Sequence, residues 1–307
     1  MMRYKLLGRS GLRVSEICLG AMTFGEEWGF GANRDECRKV FETFVEAGGN
    51  FIDTANKYTE GSSERILGEL VGAERERFVI ATKYTLSMRN GDPNASGNHR
   101  KNLQQSVNAS LKRLNTEYID LLWVHAWDFT VPAEDVMRAL DDLVRAGKVL
   151  YVGISDAPAW IVARANTVAE LRGWTPFSAL QVEYNLIERT VERELIPMAR
   201  GMGLTVTPWA PMAGGVLTGK YTRHATPEDT KRAQSNTPRL TERNIRIAQE
   251  VDAIADELGQ TSARVALNWL RQQGSDILPI VGARKAEQMA DLLKCLDFRF
   301  YTLLLLS

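Results

Sequence analysis

Short apolar runs recur along the chain, beginning near Ile17, Phe51, Phe78, Ile119, Val149, Ala179, Leu204 and Ile277. Their spacing is roughly that of successive β-α-β units of about 30 residues. They are nearly continuous in hydrophobicity, as strands covered on both faces are. Between them lie stretches with helical periodicity: Glu36 to Ala47, Ser63 to Val71, Lys101 to Leu114, Ala133 to Ala146 and Thr190 to Met202. In the fourth, Val136, Leu140, Leu143 and Val144 make one face, and Arg138, Asp141, Asp142 and Arg145 fill the other. Eight strands alternating with such helices predict a parallel sheet closed into a (β/α)8 TIM barrel, one domain over residues 1–307. A doubly wound open sheet is the runner-up; it would need a Gly-x-Gly-x-x-Gly turn after its first strand, and none follows Ile17. Ahead of the barrel, Tyr4 to Leu7 and Leu12 to Val14 flank Gly8-Arg9-Ser10-Gly11, which predicts an N-terminal β-hairpin that plugs or caps it. Ser87 to Asn98 and Tyr221 to Leu240 read as long loops, of the length used for lids and binding segments.

Charge narrows the partners. With 38 basic and 38 acidic residues there is no net charge, so the electrostatic footprint of a nucleic-acid or anionic-membrane binder is missing and a small-molecule partner is expected. Cys18, Cys37 and Cys295 are scattered, without Cys-x-x-Cys spacing, which predicts neither a disulfide framework nor a zinc site and fits a cytoplasmic setting. His99, His125 and His224 are not paired at ligand spacing, so no metal site is expected. The start Met1-Met2-Arg3-Tyr4-Lys5 turns polar too early for a signal sequence, and no apolar run reaches the roughly 18 residues of a membrane span.

Three successive strands end in ionisable residues: Asp53, Lys83 and His125. Barrels of this type build their active sites at the C-terminal ends of the strands, which makes these three neighbours around one mouth, with Tyr58 reaching in from the loop after Asp53. A phenol near its unperturbed pKa of about 10 is a poor proton donor at neutrality. A neighbouring ammonium is expected to lower that value, and a carboxylate behind it keeps the lysine charged. A histidine beside them can orient a substrate oxygen. Singly, each residue has a structural reading: an ion pair inside the barrel, a loop tyrosine, a hydrogen-bonded histidine. Their joint occurrence at successive strand ends points instead to proton donation onto a carbonyl.

The string Phe51-Ile52-Asp53-Thr54-Ala55 with Tyr58 and Gly61-Ser62-Ser63-Glu64, then Ala81-Thr82-Lys83, then Tyr118-Ile119-Asp120-Leu121 with Val124-His125, resembles the aldo-keto reductases over nearly the whole chain. The resemblance implies a barrel enzyme reducing aldehydes or ketones with NADPH, in which Tyr58 is the general acid, Lys83 and Asp53 tune it, and His125 orients the carbonyl. It further implies that Gly20, Ala21 and Met22 border the cofactor, that Ser155, Asp156 and Gln181 meet the nicotinamide carboxamide, and that Trp209 stacks on its ring within Trp209-Ala210-Pro211-Met212. Gly214, Leu217 and Lys220 fall in the segment that crosses the pyrophosphate, and Gly282, Arg284, Gln288 and Asp291 at the adenosine end. An arginine at position 284 suits a 2′-phosphate, hence NADPH rather than NADH. Asp156 stands where the family more often has Asn, and Trp209 where Tyr is more common.

Trp28, Phe30, Tyr84, Trp127 and Phe129 follow strands on the same side, which predicts an aromatic-walled substrate pocket. The tail from Phe298 to Ser307, with Leu303 to Leu306, departs from the family's polar ending and is expected to act as an association surface, as in a homo-oligomer. A second reading comes from the potassium-channel β subunits, which keep this barrel and bind NADPH while serving mainly as partners of a membrane protein. Turnover would separate that reading from an enzyme.

Overall fold

The computed structural model of the chain describes residues 2–223 and 237–300. Most of the stretch read as the long Tyr221–Leu240 loop, His224 and the leucine run of the tail lie outside them.

Two short strands, β1 (Tyr4–Leu6) and β2 (Arg13–Ser15), pair antiparallel as the expected hairpin. The parallel sheet then runs in the order β10 (Ile280–Val281), β3 (Cys18–Gly20), β4 (Phe51–Asp53), β5 (Val79–Tyr84), β6 (Ile119–Val124), β7 (Val149–Ser155), β8 (Phe177–Glu183), β9 (Thr205–Trp209). Between the two ends of this order, Val206 bridges Ile277 in parallel, and Leu278 N–H donates to the Val206 carbonyl at 2.9 Å. Eight parallel strands thus form a nearly closed barrel.

Helices α1 (Arg34–Glu46), α2 (Ser62–Val71), α3 (Arg100–Leu114), α4 (Ala133–Arg145), α5 (Ala159–Arg172), α6 (Leu195–Met202), α7 (Glu242–Leu258), α8 (Ser262–Arg271) and α9 (Ala286–Leu293) surround it. The helix read from Thr190 to Met202 is divided: a 3-10 turn covers Thr190–Glu192, and α6 starts only at Leu195. The apolar periodicity runs through both parts, but Glu194 at φ −139° sets the helix on a new course.

Strand alternation sorts the side chains into two layers. Leu7 and Val14 of the hairpin join Cys18, Phe51, Val79, Ala81, Leu121, Trp123, Ala179 and Leu278 in one cluster, which fills the barrel and makes the hairpin its plug. Ile52, Ile80, Leu122, Ile154 and Leu180 belong to the second, larger cluster shared with the helices. Phe51 and Asp53 therefore share a direction, as do Val79, Ala81 and Lys83, so the inward register ends in charge at the upper rim.

Candidate active site

Lys83 is fully buried and Asp53 nearly so. The Lys83 ammonium ion-pairs with Asp53 Oδ2, donates to the Thr54 carbonyl at 2.9 Å and reaches the Tyr58 hydroxyl at 3.0 Å. An isolated buried ammonium would be strongly disfavoured; here each of its three protons has an oxygen. Asp53 Oδ1 accepts from Gln181 Nε2 at 3.0 Å, so the carboxylate bridges β5 and β8. The ring of His125 stands edge-on to that of Tyr58, with centroids 6.0 Å apart.

Burial dominates the proton affinities. It pushes the Tyr58 phenol above its ordinary value, an effect that Lys83 reduces and Asp53 reinforces. Lys83 thus acts in the expected direction but is outweighed, first by burial and then by the Asp53 carboxylate paired with the ammonium. For Lys83, burial pulls down but Asp53 and Tyr58 outweigh it, and the ammonium is held above its usual range. Burial, aided by the Lys83 charge, pushes the His125 imidazole down to about 3. His125 is thus neutral at physiological pH and can donate a hydrogen bond without carrying charge.

Asp53, Tyr58 and His125 line a cleft of about 460 Å³, with Lys83 buried behind them. Of the residues expected at a cofactor, Gly20, Met22, Asp53, Ser155, Asp156, Gln181, Trp209, Ala210, Pro211, Met212, Gly214 and Gly282 line it. A second cavity of about 440 Å³ shares Met212, Gly214 and Gly282 with the first and continues past Lys220 to Arg284, Gln288 and Asp291. Two expected residues stand apart from both cavities. Ala21 and Leu217 are fully buried and off the lining: Ala21 is held by its N–H donating to the Asp53 carbonyl, and Leu217 packs among Val216, Val251 and Val265. Gln181, expected to meet the carboxamide, does line the cleft but commits its N–H to Asp53.

The elongated double cavity, with a cation at its far end, fits a dinucleotide. Near β3 and β10 two glycines, Gly20 and Gly282, form part of the wall, and a Cβ on Gly20 would lie 2.8 Å from Ile280 Cγ2. The Trp209 indole N–H donates to Asp156 Oδ1 at 3.2 Å, which fixes the plane of the ring. Burial raises the Asp156 carboxyl above its usual range, against the opposing pull of that indole. Arg284 and Lys220 form no ion pair among the described residues, so both charges are free to meet phosphate.

The substrate side differs from its expected wall. Trp28 lines the cleft, as does Phe30, whereas Tyr84, Trp127 and Phe129 do not. Tyr84 follows the inward Lys83, so alternation turns it outward, where it is buried with its hydroxyl on the Asn98 carbonyl at 3.4 Å. Asn98 also holds the loop after β6, donating to the Ala126 carbonyl and accepting from Asp128 N–H, both at 2.9 Å. That tether leaves Trp127 buried in the outer core and Phe129 exposed on the surface. Lys57, Leu86 and Arg239 are among the further residues that line the cleft, beyond the expected pocket. Leu86 lies two residues past a strand end and was within reach of sequence reasoning; Arg239, beyond a long loop, carried no local signal.

A (β/α)8 barrel with Asp, Tyr, Lys and His converging at its upper rim beside a dinucleotide-length cleft defines a class of nicotinamide-dependent carbonyl oxidoreductases. The sequence model of the Aldo/keto reductase family matches residues 16–302. The chain belongs to that family. It is 39% identical to a norsolorinic acid reductase of Aspergillus flavus over 95% of this chain and 76% of that one. It is 38% identical to an aryl-alcohol dehydrogenase [NADP(+)] of Phanerodontia chrysosporium over 94% of this chain and 80% of that one. An aryl-alcohol dehydrogenase of Pestalotiopsis microspora is 38% identical over 94% and 76% respectively. The protein is therefore an oxidoreductase acting on small carbonyl substrates, and the family uses nicotinamide cofactors. Among the described residues, no helix is long and apolar enough to cross a membrane.

Proposed function

We propose that the protein reduces aromatic aldehydes or ketones with NADPH, using Tyr58 as general acid. The observation that carries this reading is the Tyr58 hydroxyl, 3.0 Å from the Lys83 ammonium, within a cleft also walled by His125, Trp28, Phe30 and Leu86. Ser155, Asp156 and Trp209 would hold the nicotinamide, and Lys220 and Arg284 the phosphates. The relatives named for aryl alcohols and for NADP(+) support both the substrate class and the cofactor.

When bound, the nicotinamide supplies a hydride to the carbonyl carbon. His125, neutral, donates a hydrogen bond to the carbonyl oxygen and holds it toward Tyr58. As negative charge develops on that oxygen, Tyr58 gives up its proton, and the Lys83 ammonium stabilises the phenolate left behind. Asp53 keeps Lys83 charged and in place. A proton from water restores the phenol, so one carbonyl, one hydride and one proton give one alcohol.

NADPH oxidation with a panel of aromatic and aliphatic aldehydes, run beside Tyr58→Phe, tests this. Turnover of aromatic substrates that falls at least ~10²-fold in the variant, with NADPH affinity unchanged, is expected. Retained turnover would remove Tyr58 as the acid. Tight NADPH binding without any turnover would favour a regulatory module of the potassium-channel β-subunit kind.

A further inference from the structure

Tyr58 opens a 3-10 turn, Tyr58–Gly61, whose next three residues all have positive φ: Thr59 at 44°, Glu60 at 52° and Gly61 at 86°. Glycine accepts this region without cost, whereas a β-branched residue such as threonine is a true outlier there. Such strain survives only where surrounding bonds enforce it, and it gathers at working sites. The enforcing bonds belong to Thr59 itself. Its fully buried hydroxyl donates to the Phe24 carbonyl at 2.6 Å and accepts from Ser63 N–H at 3.0 Å.

The bond to Phe24 joins the Tyr58 segment to the loop after β3, which supplies Met22, Trp28 and Phe30 to the cleft. Further links run between the same two segments. Ser63 Oγ donates to the Ala21 carbonyl at 2.7 Å, the Trp28 indole donates to Glu60 at 3.3 Å, and the Ser62 hydroxyl donates to Glu27. Thr59 is the fully buried member next to Tyr58, and its hydroxyl is the hub from which the turn is held in its left-handed path. Removal of that oxygen would let the turn relax toward ordinary φ values and carry Tyr58 away from Lys83.

We propose that Thr59 is a positioning residue for catalysis, its hydroxyl holding the strained turn that sets the Tyr58 hydroxyl on the Lys83 ammonium. This rests on the reading of Tyr58 as the acid. The test compares Thr59→Ser, Thr59→Ala and Thr59→Gly in single-turnover reduction, with NADPH affinity and thermal unfolding measured on each. Serine keeps the hydroxyl; alanine and glycine remove it, and glycine also removes the strain, so it folds even if alanine does not.

The expected result is hydride transfer within ~3-fold of the parent for serine and slowed by ~10²-fold for alanine and glycine, since a displacement of about 1 Å costs that much. NADPH affinity should be unchanged throughout. Alanine or glycine variants that react at the parent's rate, or a folded serine variant as slow as alanine, would overturn the proposal. Tyr58→Phe, run in parallel, separates the two claims: if it retains turnover, the reading of Tyr58 has failed, whereas an inactive Tyr58→Phe beside a fully active Thr59→Gly refutes the role of Thr59 alone.

Discussion

Lys83 carries its ammonium into the barrel with no exposure to water, and its charge is tolerated because Asp53, the Thr54 carbonyl and Tyr58 take its three protons. Removing one partner of such a pair strands the other in a low-dielectric interior. Lys83→Met should therefore destabilise the fold by about 3–5 kcal/mol, and adding Asp53→Asn should recover part of that loss. Urea unfolding of the two variants checks both. His125 makes a different prediction at the same scale. With its imidazole held down to about 3, it binds no proton across the working range, and the rate should show no histidine limb between about pH 5 and 8. A pH profile of kcat that lost a limb near 6.5 on His125→Asn would contradict this. Arg284, without an ion-pair partner among the described residues, should act on the cofactor alone: Arg284→Ala is expected to weaken NADPH at least ~10-fold and leave NADH nearly unchanged. Equal weakening of both would remove the 2′-phosphate assignment.

Among elements, the contact between α2 and α3 shows how closely the outer helices approach. Gly68 of α2 faces the backbone of Leu114 at the end of α3: an added Cβ would lie 2.5 Å from the Leu114 carbonyl oxygen and 2.6 Å from its carbon. Alanine in a helix normally gains up to about 1 kcal/mol over glycine. Here the overpacking penalty of about 1–3 kcal/mol opposes it, and backbone cannot swing aside as a side chain can. Gly68→Ala is therefore expected to lower the unfolding free energy, and a raised thermal midpoint would show that the helices part freely. The packing also fixes Glu64 of α2, fully buried and held by Arg113 of α3 at 2.5 Å and by the Thr82 hydroxyl at 2.6 Å. The helix pair thus braces β5, the strand that presents Lys83.

Across the whole molecule, the hairpin plug and the barrel floor are tied by one charge cluster around the buried Glu16. Glu16, just before β3, accepts from Arg271 of α8 at 2.9 Å and from Arg3 at 2.8 Å and 2.9 Å. Burial would push its carboxyl up, but the two guanidinium groups outweigh it and hold the value below the usual carboxylate range. The folded state therefore binds fewer protons here than the unfolded chain. The resulting stability is present above the unfolded value of about 4.3 and is lost as pH falls through the lower folded one. The thermal midpoint should decline with acid below about pH 4.5, and Glu16→Gln, less stable at neutrality, should show a shallower decline. An identical slope in both would exclude Glu16 as a source of the acid sensitivity.

Much of this architecture was legible from local pattern. Every predicted strand start falls at or within a few residues of an observed strand, because strands covered on both faces must be apolar throughout, and length-limited apolar runs report that directly. Asp53 and Lys83 were legible for the converse reason: a charge ending an apolar strand is costly unless it is used or paired; His125 stood out as a third polar strand end. What the sequence could not carry is direction and distance across the chain. The aromatic residues Tyr84, Trp127 and Phe129 looked alike, yet side-chain alternation and the Asn98 tether turned all three away from the cleft. The bond from Gln181 to Asp53 spans 128 positions, and Arg239 reaches the cleft from beyond a long loop. The chain by itself determined the barrel, its plug and the ionisable residues at its rim, since those follow from periodicity and the cost of buried charge. Only the tertiary structure decided that burial outweighs Lys83 at Tyr58, which residues wall the cleft, and that the strained turn at Thr59 is held by a loop some 35 residues earlier; such effects depend on what closure of the barrel brings together.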